Sequence, residues 1–410
     1  MQEIENLLAR NDIKKAEQVI AKQLRSDPGD HERTKLLLYR ARVRLRGGRP
    51  DDSINDLLTI CSMAPQQADK PELMELLGDA YLARFETASV GFADRADIVQ
   101  AQENFQRVLN DYPKYPNRGW INYQLGRVAL TENVVDRAEH YFQQALLTPS
   151  TTRALTAFCF ERLGFLTFYE RRDLELALGL LDKAVDTYPS TENQAWLAQV
   201  HILRSRVLRE QRDYKQALRS AETAITIAAN AGSENRASLA EALLTAGEMS
   251  AGFEGRERDT LDYLHQFLQA SRKPLGVDVT WSRVHELLGD AYFKLSQFEM
   301  ALESYEAALQ YNPYHPWEIS LHYRIARSYY HRNDYANTII AIQRLMQAAE
   351  AEGEPVNDYH IYDILGNAHF ALGQYHDAQE SYRTALEIAP GTADGVEKIR
   401  KYYQFAQELS

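Results

Sequence analysis

The sequence predicts an all-α chain built as an α-solenoid, a stack of antiparallel helix pairs. Three observations lead there. At 410 residues the chain exceeds what one hydrophobic core normally serves, so several domains or a repeat array is expected. Two segments, Leu287 to Pro313 and Ile364 to Pro390, align with each other without a gap. The small residues and prolines they share then recur along nearly the whole chain.

The offsets have a physical reason. Gly289 and Gly366 stand inside predicted helices, where glycine costs about 1 kcal/mol against alanine. That cost is explained if a neighbouring helix comes very close at those points. Ala301 and Ala378 are small for the same reason on the second helix. Tyr305 and Tyr382, then Ala308 and Ala385, complete one face of that helix at four- and seven-residue steps. Pro313 and Pro390 end it. Each unit is thus two helices joined by a short turn, SQFEM in one and GQYHD in the other.

This pattern resembles the tetratricopeptide repeat. Gly126 is followed by Ala138, Phe142, Ala145 and Pro149. Gly164 leads to Ala177, Leu181, Ala184 and Pro189 with one extra residue in the turn. Gly78 leads to Ala101, Phe105, Val108 and Pro113 across an insertion after Tyr81. Ala16, Ile20 and Pro28 read as the second helix of a truncated first repeat, and Ser53, Leu57 and Pro65 as a weak second one. Ala217, Ala221 and Ala224 keep the phase further on, as do Ala326, Thr338, Ile342 and Leu345. The stretch Arg236 to Ala270 holds two helix-like runs and is the most degenerate unit. About nine or ten units result. The resemblance implies a right-handed superhelix whose neighbours bury one another's apolar faces.

We expect an N-terminal array over 1–273 with about six to seven units, a C-terminal array of about three units over 274–390, and a capping helix over 391–410. Ala83 to Gln100 interrupts a regular unit, either as a lip on one face or as a longer helix pair with a polar loop. Ser271 to Trp281, with Pro274 and Gly276, is the candidate hinge, and Glu350 to His360 is a further polar joint.

The resemblance implies that first helices line the concave side. Beside the glycine-equivalent positions stand Arg127, Phe165, Arg206, Asp290, Arg327 and Asn367. One turn away lie Tyr123, Glu161, Tyr169, Arg209, Phe293, Tyr323, Tyr330 and Phe370. This set is rich in aromatics and arginine, the residues favoured at binding hot spots, and suits an acidic or carboxylate-bearing peptide with apolar anchors. The same side chains also serve to pack one unit on the next. Some family members hold a carboxylate terminus with Lys, Asn and Arg on three successive units. Here only Asn367 matches, beside Asp290 and Arg327, so that clamp is not expected.

The expected function is therefore a non-enzymatic scaffold or adaptor for a partner protein or peptide. A peptide-responsive regulator and an architectural subunit of a larger complex are the alternatives. A formal net charge of -12 argues against general binding to nucleic acid or anionic membranes. Catalytic signatures are missing: the sequence holds no phosphate-binding glycine loop, no HExxH and no GxSxG. His315, His322 and His331 are spaced too widely for a tight metal-ligand set. No cofactor is expected. Cys61 and Cys159 read as buried free thiols. The opening MQEIENLLARND lacks the features of a secretory signal, and no apolar run approaches about eighteen residues, so a cytoplasmic address without membrane insertion is expected.

Overall fold

Small residues on the first helix of every pair after the first decide how closely the second can approach. In the computed structural model this contact recurs in nine successive pairs, from Ala41 to Gly366. The structure describes residues 2–10, 12–88, 93–192, 194–232, 236–390 and 395–410. Among them are 22 α-helices and no strand. The chain gathers into two units, Met1–Glu192 and Asn193–Ser410.

In the first unit the helices are α1 (Gln2–Ala9), α2 (Ile13–Arg25), α3 (Asp30–Arg46), α4 (Pro50–Met63), the single turn α5 (Pro65–Ala68), α6 (Pro71–Thr87), α7 (Arg95–Asp111), α8 (Arg118–Thr131), α9 (Val135–Leu147), α10 (Arg153–Leu166) and α11 (Leu174–Thr187). They pair as α1/α2, α3/α4, α6/α7, α8/α9 and α10/α11. In the second unit, α12 (Ala195–Glu210) pairs with α13 (Tyr214–Asn230), α14 (Arg236–Ala251) with α15 (Glu257–Ala270), and α16 (Val279–Lys294) with α17 (Phe298–Tyr311). There follow α18 (Glu318–His331) with α19 (Tyr335–Glu352), α20 (Tyr359–Ala371) with α21 (Tyr375–Ile388), and the last helix α22 (Val396–Leu409). Within each unit, second helices also pack on the first helix of the next pair, and several successive first helices touch one another directly.

Local chemistry sets the ends. The side chains of Asp12, Asp173, Asp213, Asp278 and Asp334 each accept a backbone N–H of the helix they precede. Pro50 and Pro71 occupy first-turn positions, where a missing N–H costs nothing. The turn between paired helices passes through a left-handed residue seven places after the small one, at Asn133, Arg212, Ser296, Asn333 and Gly373. The one extra residue after Gly164 is absorbed by a π-turn over Thr167–Arg171, so the left-handed position slips by one to Arg172.

The contact itself is a side chain of the second helix seated on the first. Phe105 sits on Gly78, Phe142 on Gly126, Leu264 on Gly247, Tyr305 on Gly289 and Tyr382 on Gly366; a Cβ on any of these glycines would come within 2.4 to 2.6 Å of it. At Gly164, where Leu181 is the knob, the gap is 3.0 Å. Where the seat is larger, the knob is smaller: Ala41 faces Leu57, Ala326 faces Ile342, and Ser205 faces Ala221, all buried. The seats and knobs exchange volume, as a close-packed interior requires.

The insertion after Tyr81 lengthens both helices of its pair, and Arg84 bonds Asp97 across it; residues 89–92 lie outside the described residues. Residue 273, the expected array boundary, falls inside the second unit. One apolar core runs there from Leu243 and Phe267 through Trp281 and Val284 to Ile361. The segment Ser271 to Trp281 is pinned by a hydrogen bond from the Asp278 N–H to the Tyr311 carbonyl at 2.9 Å. At the end of the chain, Ile399, Tyr402 and Ala406 of α22 lie against Ala378, Tyr382 and Phe370. Both cysteines are free thiols; Cys159 is buried, whereas Cys61 is only half-buried, contrary to expectation, because it sits at the margin of its core cluster. Burial pushes the Cys159 thiol up to about 12.

The exchange of volume gives a direct test. Gly126→Ala should destabilise the chain by about 1–3 kcal/mol, because the Phe142 ring cannot withdraw without strain. Adding Phe142→Leu, which recreates the Ala41/Leu57 combination, should recover part of that loss in urea unfolding monitored by circular dichroism.

Candidate protein-binding surface

First helices carry polar side chains in a fixed register to the seat. Three residues before it stand Glu75, Glu161, Glu286 and Asp363; directly after it stand Asp79, Arg127, Arg206, Asp290, Arg327 and Asn367. One helical turn separates the two positions, so both project on the same side. The residue after the seat meets the following first helix at two sites. Gln124 Nε2 donates to Asp79 Oδ1 at 2.6 Å, and Trp120 Nε1 donates to the same oxygen at 3.2 Å. Arg324 Nη1 bonds Asp290 Oδ2 at 2.9 Å and Glu286 Oε1 at 2.8 Å. Arg206 Nη2 bonds Glu241 Oε1 at 3.0 Å.

In the first unit these faces enclose a hollow of about 910 Å³. Its walls come from α1, α3, α6, α8 and α10, the first helices of five successive pairs, and include Tyr39, Arg42, Glu75, Asp79, Trp120 and Phe158. Tyr115 donates to Glu75 Oε2 at 2.5 Å, and Asn117 reaches the same carboxylate at 3.3 Å. Burial raises both acids, Asp79 to about 7, against the pull of its hydrogen-bond donors. Arg42 lies beside the Tyr39 ring, 5.9 Å from its centroid, with no carboxylate at ion-pair distance among the described residues.

The side chains expected to meet a partner divide into groups. Tyr123 is buried, stacked on Trp120 at 5.6 Å and tilted against Phe142 and Phe158. Arg127 bonds Glu86 of the preceding pair and Gln124 of its own helix. Glu161 is buried beside Arg162, 3.0 Å from its Nε, and burial raises its pKa. Phe165 and Tyr169 lie half-buried against each other at 4.6 Å. In the second unit Arg209 is 3.7 Å from Glu248. Asp290 and Asn367 accept the hydroxyl protons of the knobs Tyr305 and Tyr382, at 2.8 and 3.0 Å. A buried tyrosine hydroxyl needs such a partner, and the residue after a tyrosine-bearing seat supplies it. Arg327 lies between the rings of Phe293, 4.8 Å from its centroid, and Tyr323 at 5.7 Å. Tyr330 packs on Tyr335, and Phe370 is covered by Tyr402 of the last helix.

Sequence reasoning passed over Asp79, Glu75, Trp120, Arg42 and Arg324. The first two were legible as carboxylates flanking Gly78 at a four-residue step. Arg42 was legible too, directly after the small residue Ala41. Trp120 and Arg324 lie outside the positions next to a seat, and only stacking shows that they reach its neighbours. The histidines take structural roles: His315 is buried 3.8 Å from Glu286, His322 lies 3.5 Å from Glu318, and His331 stacks on Phe298 at 4.8 Å. Among the described residues no group of histidine, cysteine and carboxylate side chains could hold a metal ion, and no helix is long and apolar enough to cross a membrane.

An array of paired helices locked by knobs, with a polar hollow along its first helices, defines the class of repeat-built protein-interaction scaffolds. The tetratricopeptide repeat model matches residues 282–315 and 360–392, the pairs α16/α17 and α20/α21. These two pairs are tetratricopeptide repeats. Over 153 residues it is 27% identical to RNA polymerase II-associated protein 3 of Mus musculus, and 24% identical to that of Homo sapiens. Each match takes in 36% of this chain and 21% of the relative, so the chain spans about a fifth of the length of the curated relatives it matches. Among solved structures, a signal-transduction ATPase with a tetratricopeptide repeat sensor from Pyrococcus horikoshii is 15% identical, with a TM-score of 0.54. That likeness covers 93% of this chain and 56% of the ATPase, and it concerns the fold alone.

Two outcomes follow from the charges. A raised Asp79 binds its proton more tightly in the folded chain than in the unfolded one, so its ionisation opposes folding as pH rises. Its carboxyl carbon should titrate near pH 7 by NMR, and thermal stability should fall between about pH 4 and 7, from the ordinary value of 3.8 to the raised one of about 7, by a part that Asp79→Asn removes. Arg324→Met should cost about 1–3 kcal/mol in unfolding experiments, because buried Glu286 loses a charged donor.

Proposed function

We propose that the protein is a scaffold holding an extended segment of another protein along its first helices, with the hollow of the first unit as the main seat. The observation that carries this reading is the size and make-up of that hollow. About 910 Å³ accommodates several side chains, and its walls combine aromatic surface with groups of both charges. Trp120 and Phe158 offer flat apolar contact for anchors. Arg42, which has no carboxylate at ion-pair distance among the described residues, offers a cation to an acidic side chain beside them. The partner that fits is therefore a peptide segment with apolar anchors and at least one carboxylate.

Most first-helix arginines named from the sequence already bond a carboxylate of a neighbouring pair, so they contribute little net charge to such a partner. Arg327 is the exception among them, and Arg42, which the sequence reading did not single out, joins it in supporting an acidic segment. The curated relatives carry the name of a protein associated with RNA polymerase II, which supports a protein as the class of partner.

Affinity purification from the native host with wild type, Arg42→Glu and Trp120→Ala compares the proteins each retains. We expect both variants to lose a partner that wild type holds while keeping the helical circular dichroism spectrum. Retention of an unchanged set of proteins by both variants would sink the proposal.

A further inference from the structure

We propose that the loop edge of the second unit carries a separate docking site, for a partner segment whose aromatic or aliphatic anchor is flanked by Lys or Arg. The site is a cavity of about 460 Å³ between the start of α18, the end of α19 and the start of α20. Trp317, Ile319, Tyr323, Leu345, Val356 and Ile361 form its apolar wall. Trp317 leaves 65% of its surface exposed, and Tyr314 in the same loop leaves 88%. A protein of this kind rarely exposes contiguous large apolar side chains without a use for them.

The patch extends along the edge. The preceding inter-pair loop carries Leu275, fully exposed, with Val277 and Val279 also exposed beyond it. That loop is tied to the end of α17 by the Asp278–Tyr311 backbone hydrogen bond, three residues before Tyr314. The helix that closes the array, α22, packs on α21 and leaves this edge uncovered.

Charge selects the occupant. The charged side chains lining the cavity are Glu352, Glu354 and Asp358, all carboxylates, with no cation at ion-pair distance among the described residues. An apolar anchor entering beside them brings its flanking residues to this rim, where Lys or Arg is attracted and Asp or Glu repelled. A second copy of this chain is the poorer occupant. A two-fold contact would set the same carboxylates opposite one another. Trp317 is the residue type that dominates binding energy when an exposed aromatic becomes buried.

The test is fluorescence anisotropy with the full chain and a fluorescein-labelled decapeptide, a Leu-Phe pair flanked by lysines, against its counterpart with glutamates. The lysine peptide should bind at least tenfold more tightly. Trp317→Ala should weaken it tenfold or more, and Glu352→Lys with Glu354→Lys should invert the preference between the two peptides. Trp120→Ala, in the hollow of the first unit, should leave its affinity unchanged, which separates this site from the proposed groove. Equal affinity of Trp317→Ala and wild type, or no saturable binding of the lysine peptide, overturns the proposal. So does a dimer in light scattering that Trp317→Ala dissociates, which would make the occupant a second copy.

Discussion

The structure depends on one contact, a bulky side chain of the second helix resting on a residue of the first that has almost no side chain. It sets the distance within each pair, and the pair sets the surface on which the next one stacks. Glycine in mid-helix gives up about 1 kcal/mol of local stability. The ring or branched chain that fills the space returns more than that by burial. The six glycine seats, two alanine seats and one serine seat show that the sum is conserved rather than the residue: Gly126 takes Phe142, Ala41 takes Leu57, Ser205 takes Ala221.

A second regularity rides on the first. Because each seat fixes the rotation of its helix, the residue just after it faces a neighbouring first helix, and at Asp79, Arg206 and Asp290 it bonds the next one. Asp79 meets Gln124 and Trp120, and Asp290 meets Arg324. These polar bonds run between neighbouring pairs along their first helices. Charged groups there divide into those that hold the array together and those, such as Arg42 and Arg327, that have no carboxylate at ion-pair distance among the described residues. The side chain of the knob feeds into the same register: a tyrosine knob calls for Asp290 or Asn367 after the seat, whereas a phenylalanine knob leaves Asp79 and Arg127 for other bonds.

Much of the fold was legible in the sequence, because its governing signal is local and periodic. The offsets from Gly289 to Tyr305 and from Gly366 to Tyr382 are visible without any structure, and the helix pairs follow from them. Even the extra residue after Gly164 was visible, although not that a π-turn would absorb it. The candidate surface was legible in position and not in role. Arg127, Arg206 and Asp290 do lie where first helices face their neighbours, yet each is bonded to a neighbouring pair or knob. Phe370 lies beneath the last helix.

The sequence by itself determined the helix pairs, their phase and the small-against-large contacts, since these involve residues within one unit and a fixed number of positions. Only the tertiary structure decided which polar groups have partners, where the hollow of the first unit lies, and which loop edge of the second stays bare. Those depend on side chains roughly one unit apart in the chain, brought together by stacking, and no local pattern carries that distance.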